Sequence, residues 1–140
     1  MTEQMSVKIA ALPSLRLTVE AHGLMAKKAL GQNFLLDQNI TDKIINLSLQ
    51  KQNKKDFSGA NVFEVGPGPG GLTRAVLAAE PKSLTVVEMD ERCIAIMNEI
   101  KEKTGDILHI INGDAMQTDF SGLAPAPRHI VSNLPYNISV

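Results

Sequence analysis

The stretch VFEVGPGPGG, residues 62–71, is the strongest indication of the fold of this chain. The apolar run VFEV leads into a loop in which Gly66, Gly68 and Gly71 satisfy the pattern G-x-G-x-x-G. Between a predicted strand and a predicted helix, this pattern is typical of the nucleotide-binding turn of an α/β sheet. Glu88 follows at the distance where such folds place an acid that binds ribose hydroxyls. The stretch therefore predicts a nucleotide-binding α/β domain.

Strand and helix patterns alternate after this loop. The strand patterns are nearly continuous apolar runs, which is typical of a parallel sheet covered on both faces. Asp90 is the predicted N-cap of the second helix of this part of the chain. We predict strands over 61–66, 83–90, 106–113 and 128–135, with helices over 70–79 and 90–103.

Two further helices are predicted before the first strand. Residues 14–23 form a short helix with Ser14 as N-cap and Gly23 as its stop signal. Residues 37–50 form a longer one, with a buried face predicted to comprise Ile40, Ile44, Ile45 and Leu47. Residues 1–11 receive no predicted element. We divide the chain into an N-terminal extension, 1–25, and part of an α/β domain, 26–140.

Four polar features follow the four predicted strands. They are the glycine loop with Gly66, then Glu88, Asp114 and Asn133. Because ligands of parallel sheets bind at the carboxyl ends of the strands, we expect these groups to line one site.

The glycine loop contains two prolines, which bear on the ligand. Pro67 and Pro69 remove two backbone N–H donors that a pyrophosphate cradle would use. S-adenosylmethionine presents no phosphate there, and its ribose hydroxyls and adenine amine need acceptors such as Glu88 and Asp114. The loop alone leaves NAD and S-adenosylmethionine both open, and with NAD an oxidoreductase.

The segment NLPYNISV, residues 133–140, favours methyl transfer to an aromatic amine. The side-chain oxygen of Asn133 and the carbonyl of Leu134 can accept the two amine hydrogens, so that the nitrogen lone pair points at the methyl donor. Pro135 fixes the loop, and Tyr136 offers a ring on which a flipped-out base can stack. Positioning and desolvation then carry most of the rate enhancement.

Five segments together resemble the small-subunit rRNA adenine N6-dimethyltransferases, the KsgA family: KKALGQNFLLDQNI, EVGPGPGGLT, VVEMD, NGDAM and SNLPYNIS. The resemblance runs from about residue 12 to 140. It implies a Rossmann-like methyltransferase fold that uses S-adenosylmethionine to dimethylate two adjacent adenosines near the 3′ end of small-subunit rRNA. It also implies that Asn33 and Leu35 close over the cofactor, beside Gln32 and Phe34, and that Gly66, Glu88, Asp114 and Asn133 bind it.

The resemblance leaves two alternatives open. A sister family acts on large-subunit rRNA and usually has Ile where this chain has Leu134, so the small-subunit reaction is favoured. The second alternative is a non-catalytic module that only docks on pre-ribosomal particles. Family members continue through further strands and a helical C-terminal domain, so we expect a methyltransferase fold that ends after its fourth strand.

Composition limits the other classes of function. One cysteine, Cys93, among 140 residues excludes an internal disulfide and favours a reducing compartment, with the thiol as a small buried side chain. No apolar run approaches the length of a membrane span, and no metal-ligand spacing is present. Residues 1–60 hold eight Lys/Arg against five Asp/Glu (+3), and residues 61–140 six against ten (−4). We expect a cytoplasmic monomer whose partner is small-subunit rRNA in a pre-ribosomal particle, with no membrane and no metal.

Overall fold

A computed structural model describes residues 4–24, 38–117 and 128–132 of the chain. Within these ranges it contains five helices, four strands and a short 3-10 turn over Ala115–Gln117. The helices are Met5–Ala10 (α1), Leu15–Ala21 (α2), Gln38–Lys51 (α3), Gly71–Ala78 (α4) and Glu91–Thr104 (α5). The strands are Asn61–Val65 (β1), Ser83–Glu88 (β2), Leu108–Asn112 (β3) and Arg128–Ser132 (β4).

The four strands form one parallel sheet in the order β3-β2-β1-β4. This order puts β1, which leads into the glycine loop, at the centre with a neighbour on each side. From β1 the strand order runs to one side through β2 and β3, and β4 then lies on the other side of β1. The crevice at this reversal of strand order is where doubly wound folds bind nucleotides. The predicted α/β class and parallel sheet are confirmed.

The main apolar cluster lies on one face of this sheet. Val62 pairs with Leu84, and Leu84 with Leu108, so their side chains point to the same face, where all three are fully buried. Right-handed crossovers place α4 and α5 on that face. The same apolar cluster also includes residues of these two helices and of α3: Ile45, Leu49, Leu72, Ala75, Val76, Leu77, Ile96, Met97 and Ile100.

The N-terminal part of the chain is packed against this core. The Ser14 side chain accepts a hydrogen bond from the Leu17 N–H at 3.2 Å, and Gly23 has φ +67°, so the predicted cap and stop of α2 are confirmed. Residues 5–10, for which no element was predicted, form α1. Its half-buried Met5 and Ile9 pack on the apolar cluster, which supplies the burial that stabilises so short a helix.

The buried face predicted for α3 is largely wrong. Ile45 is buried, but Ile40, Ile44 and Leu47 are 38%, 43% and 48% exposed. The residues that pack on the core are spaced four apart along the helix, and the first of them is polar: Thr41, Ile45 and Leu49.

No helix in the described ranges is long and apolar enough to cross a membrane.

Candidate cofactor site

The glycine loop turns sharply between β1 and α4. The Gly66 N–H donates to the Val87 carbonyl at 2.9 Å, which ties the start of the loop to β2. Gly66 has φ +63° and Gly70 φ +96°, conformations that side chains rarely adopt. A Cβ at Gly70 would lie 2.9 Å from Ile100 Cδ1, so the loop also runs close against α5. The predicted glycine turn is therefore formed.

Glu88 ends β2 beside this loop, and its carboxylate is held by backbone donors. Oε2 accepts from the N–H groups of Met89 at 2.8 Å and Asp90 at 3.0 Å, and Oε1 from the Gly68 N–H at 3.3 Å. Three donors on one partly exposed carboxylate fix its orientation before any ligand arrives. The remaining lone pairs of an ionised carboxylate can still accept hydroxyl hydrogens.

Asp114 lies at the end of the next strand. The Gly113 N–H donates to the Glu88 carbonyl at 3.0 Å, so the chain after β3 is joined to the end of β2. Asp114 Oδ1 accepts from the Met116 N–H at 2.8 Å, which starts the 3-10 turn. The structure therefore brings Gly66, Glu88 and Asp114 to one edge of the sheet, as the sequence predicted.

Two exposed methionines flank these acids. Met89 directly follows Glu88 and is 65% exposed, and Met116 is two residues after Asp114 and 90% exposed. Large apolar side chains in this position can pack on the faces of a planar ring. No role was predicted for these methionines, although the sequence shows their spacing from the two acids.

Glu64 is another acid near the loop, and no role was predicted for it from the sequence. It lies in β1, is fully buried, and places Oε1 2.5 Å from Thr73 Oγ1 in α4. Its Oε2 is buried and has no hydrogen-bond partner among the described residues. Burial raises the pKa of Glu64 to about 8 from a usual value near 4.5; the bond to Thr73 opposes this rise and the charge of Glu88 adds to it. Glu64 is therefore protonated at neutral pH.

This pKa predicts a pH-dependent stability that Glu64→Gln should remove. In the folded chain Glu64 keeps a proton that it releases in the unfolded chain above about pH 4.5. The contribution of this carboxyl to the free energy of unfolding is therefore at its maximum below that pH. It is lost as pH rises to about 8, by at most about 1.4 kcal/mol per pH unit. Urea unfolding at several pH values should show that the free energy of unfolding of Glu64→Gln rises relative to that of the wild type between about pH 4.5 and about pH 8. A constant difference between the two proteins would contradict the shifted pKa.

Arg74, the fourth residue of α4, connects the site to the N-terminal helices. It is only 5% exposed, and its guanidinium donates to the Pro13 carbonyl at 2.7 Å and to Thr18 Oγ1 at 3.3 Å. Arg92 of α5 likewise donates to the Gly23 carbonyl at 3.1 Å. The segment that precedes residues 25–37 is therefore held by hydrogen bonds from both α4 and α5, the two helices next to the glycine loop.

The other predicted site residues cannot be placed. Asn33 and Leu35, with Gln32 and Phe34, lie outside the described residues, and so does the tetrapeptide Asn133, Leu134, Pro135 and Tyr136. Their roles stay predictions.

Cys93 lies beside Glu88, and two further observations concern the rest of the described residues. Cys93 is buried, as predicted, and burial raises the pKa of its thiol to about 12. The described residues contain no cluster of side chains that could hold a metal ion. A groove of about 360 Å³ between α3 and α4 includes Asp56 and Glu80 and lies at the end of α4 remote from the glycine loop.

Fold and site together define a nucleotide-binding type of α/β domain, with a glycine turn and the two acids Glu88 and Asp114 at one edge of the sheet. Residues 23–140 match the family described as "Ribosomal RNA adenine dimethylase", and the chain belongs to this family. The family uses S-adenosylmethionine, so the predicted family and cofactor are confirmed and the NAD alternative is wrong.

Known proteins place the chain in more detail. It is 52% identical over 128 residues to the ribosomal RNA small subunit methyltransferase A of Allorhizobium ampelinum, covering 91% of this chain and 44% of that protein. The protein of the same description from Gluconobacter oxydans is 49% identical over 92% of this chain and 41% of its own length. A crystal structure of a dimethyladenosine transferase from Plasmodium falciparum superposes with a TM-score of 0.53 and 28% identity, over 72% of this chain and 33% of that one. The chain thus spans less than half the length of these relatives.

Proposed function

We propose that this chain is the cofactor-binding part of an S-adenosylmethionine-dependent rRNA adenine-N6 dimethyltransferase. The observation that carries the proposal is the Glu88 carboxylate, oriented by three backbone N–H groups beside the glycine turn, in a chain of this family. A carboxylate prepared in this way suits the two ribose hydroxyls of the cofactor.

The geometry of the edge supports the remaining proposed contacts of the cofactor. Asp114, two residues after the strand that pairs with β2, suits the exocyclic amine of adenine, and Met89 and Met116 supply apolar surface for its ring. The amino-acid part then passes over the main chain at Gly66. We assign Asn33 and Leu35 to the closure of the site on the resemblance to the family alone. Asn133 is assigned to the substrate on the sequence pattern and to the cofactor on the same resemblance.

The proposed substrate is a pair of adjacent adenosines near the 3′ end of small-subunit rRNA within a pre-ribosomal particle. The names of the two bacterial relatives and Leu134 in the tetrapeptide favour the small over the large subunit. The protein would act as a monomer in the cytoplasm, in keeping with its one free thiol.

Calorimetric titration of the 140-residue chain with S-adenosylmethionine tests the cofactor step, with NAD as the matched control. Saturable binding of S-adenosylmethionine alone is the expected result. Binding of NAD alone would overturn the proposal. Methyl transfer to immature small subunits then tests the reaction, in the 140-residue chain and in a chain extended to the length of its relatives.

Asn133→Ala should separate chemistry from docking. Loss of the acceptor for the amine hydrogen should slow methyl transfer at least about tenfold while cofactor affinity falls less, because effective positioning is lost rather than the ribose contacts. Single-turnover rates and calorimetry on the same variant measure the two quantities. An unchanged rate would contradict the proposed activation of the amine. A slowed variant that still binds pre-ribosomal particles would show that the docking step is separate from catalysis.

A further inference from the structure

Glu64 and Thr73 close the glycine loop from its two sides. Glu64 lies two residues before Gly66, at the end of the buried part of β1, and Thr73 is in the first turn of α4. Both side chains are fully buried, and their oxygens are 2.5 Å apart. The contact therefore fixes the width of the turn between β1 and α4, which is where the cofactor's main-chain contacts would be made.

Within the part of the chain that the structure describes, few charged groups face Glu64. Thr73 and Met97 come from α4 and α5, with Met97 Sδ 3.9 Å from the Thr73 hydroxyl. Arg74 directs its guanidinium to the Pro13 carbonyl and Thr18, and Cys93 is buried with a raised pKa. On the sheet, Glu64 pairs with Val86 and Val131, and its raised pKa is partly due to Glu88.

Glu64 and Glu88 lie on the same face of the sheet. Val86 is the register partner of Glu64, and Glu88 is two residues further along the same strand. A proton on Glu64 thus relieves repulsion from the ionised carboxylate that would bind the ribose. A cation placed over this edge would act in the opposite direction and favour loss of that proton.

We propose that Glu64 is a positioning residue that sets the glycine turn through Thr73 and gives up its proton when the cationic cofactor is bound. This inference rests on the proposed function, because it needs the sulfonium and ammonium charges of S-adenosylmethionine near Glu88. The bond that breaks is the Glu64 O–H, and the proton goes to solvent. By linkage, cofactor affinity then rises with pH up to about 8, the pKa of Glu64 in the free protein.

Calorimetry with S-adenosylmethionine in phosphate and in Tris, from pH 6.5 to 8.5, measures the protons released on binding. The α-amino group of the cofactor also titrates near pH 8, so the readout is the difference between proteins given the same ligand. Wild-type chain should release a fraction of a proton more than Glu64→Gln, and its affinity should rise several-fold with pH relative to that variant. Glu102→Gln makes the same chemical change at an exposed position of α5 and should behave as the wild type.

Equal proton release by the wild type and Glu64→Gln would overturn the inference while leaving the proposed cofactor intact. Absence of binding by the wild type would instead count against the proposed function, and the inference would fall with it. If Glu64→Gln does not bind, Thr73→Val decides, because it keeps the carboxyl and removes the hydrogen bond that lowers the pKa of Glu64. The pH range over which Thr73→Val releases a proton on binding the cofactor should move to higher pH. An unchanged range would contradict the proposed link between Thr73, the pKa of Glu64 and cofactor binding.

Discussion

Replacing Glu88 with alanine should weaken S-adenosylmethionine binding by about two orders of magnitude. Hydrogen bonds to a charged acceptor contribute about 1.5–3 kcal/mol each, and two ribose hydroxyls would lose theirs. A loss of about 3 kcal/mol corresponds to roughly a hundredfold in Kd. The substitution also leaves the N–H groups of Gly68, Met89 and Asp90 without their side-chain acceptor, which loosens the loop that the cofactor crosses.

Calorimetry and thermal unfolding of the same variant separate these two effects. Glu91→Ala is the matched control, since it removes a like charge three residues away, in the exposed first turn of α5. We expect the control to bind within about threefold of the wild type, in keeping with the small effects of exposed charges. A Glu88→Ala protein that is stably folded and binds as tightly as the control would show that the ribose is held elsewhere.

The sequence predicted the sheet and its ligand edge because both depend on local signals. Continuous apolar runs mark strands buried on both faces, and the residues that follow them are brought together by the topology itself. Gly66, Glu88 and Asp114 could therefore be assigned to one edge without coordinates. The caps at Ser14 and Asp90 were predictable for the same reason, since each is satisfied within its own helix turn.

The contacts that the sequence did not predict are long-range. An arginine in a helix is usually exposed to solvent. Arg74 is buried because the chain near Pro13 and Thr18 folds back onto α4. Glu64 reads as a charged interruption of a strand, and only its pairing with Thr73 explains why a carboxyl is accepted in the core. Helix α1 depends on the same tertiary burial. Periodicity within a segment carries no information about such partners.

The buried face of α3 shows how a local pattern can mislead. Successive residues of a helix are 100° apart, so Ile44 and Ile45 cannot both lie at the centre of one face. The apolar residues at 40, 44 and 47 form a continuous stripe, but the core is contacted by the neighbouring stripe, whose first member is Thr41. The Thr41 hydroxyl donates to the Gln38 carbonyl at 3.0 Å, which makes its burial acceptable and hides the true face from a hydrophobicity pattern.

Alanine substitutions at the two adjacent isoleucines of α3 should therefore differ sharply in their effect on stability. Ile45 is 2% exposed within the main apolar cluster, and Ile45→Ala should cost about 2–5 kcal/mol in the free energy of unfolding. Ile44 is 43% exposed, and Ile44→Ala should cost less than about 1 kcal/mol, since alanine is also the better helix former. Urea unfolding of both variants under the same conditions makes the comparison, because helix propensity changes by the same amount in each. Equal losses would mean that Ile44 is covered in the folded protein and that the stripe predicted from the sequence belongs to the core after all.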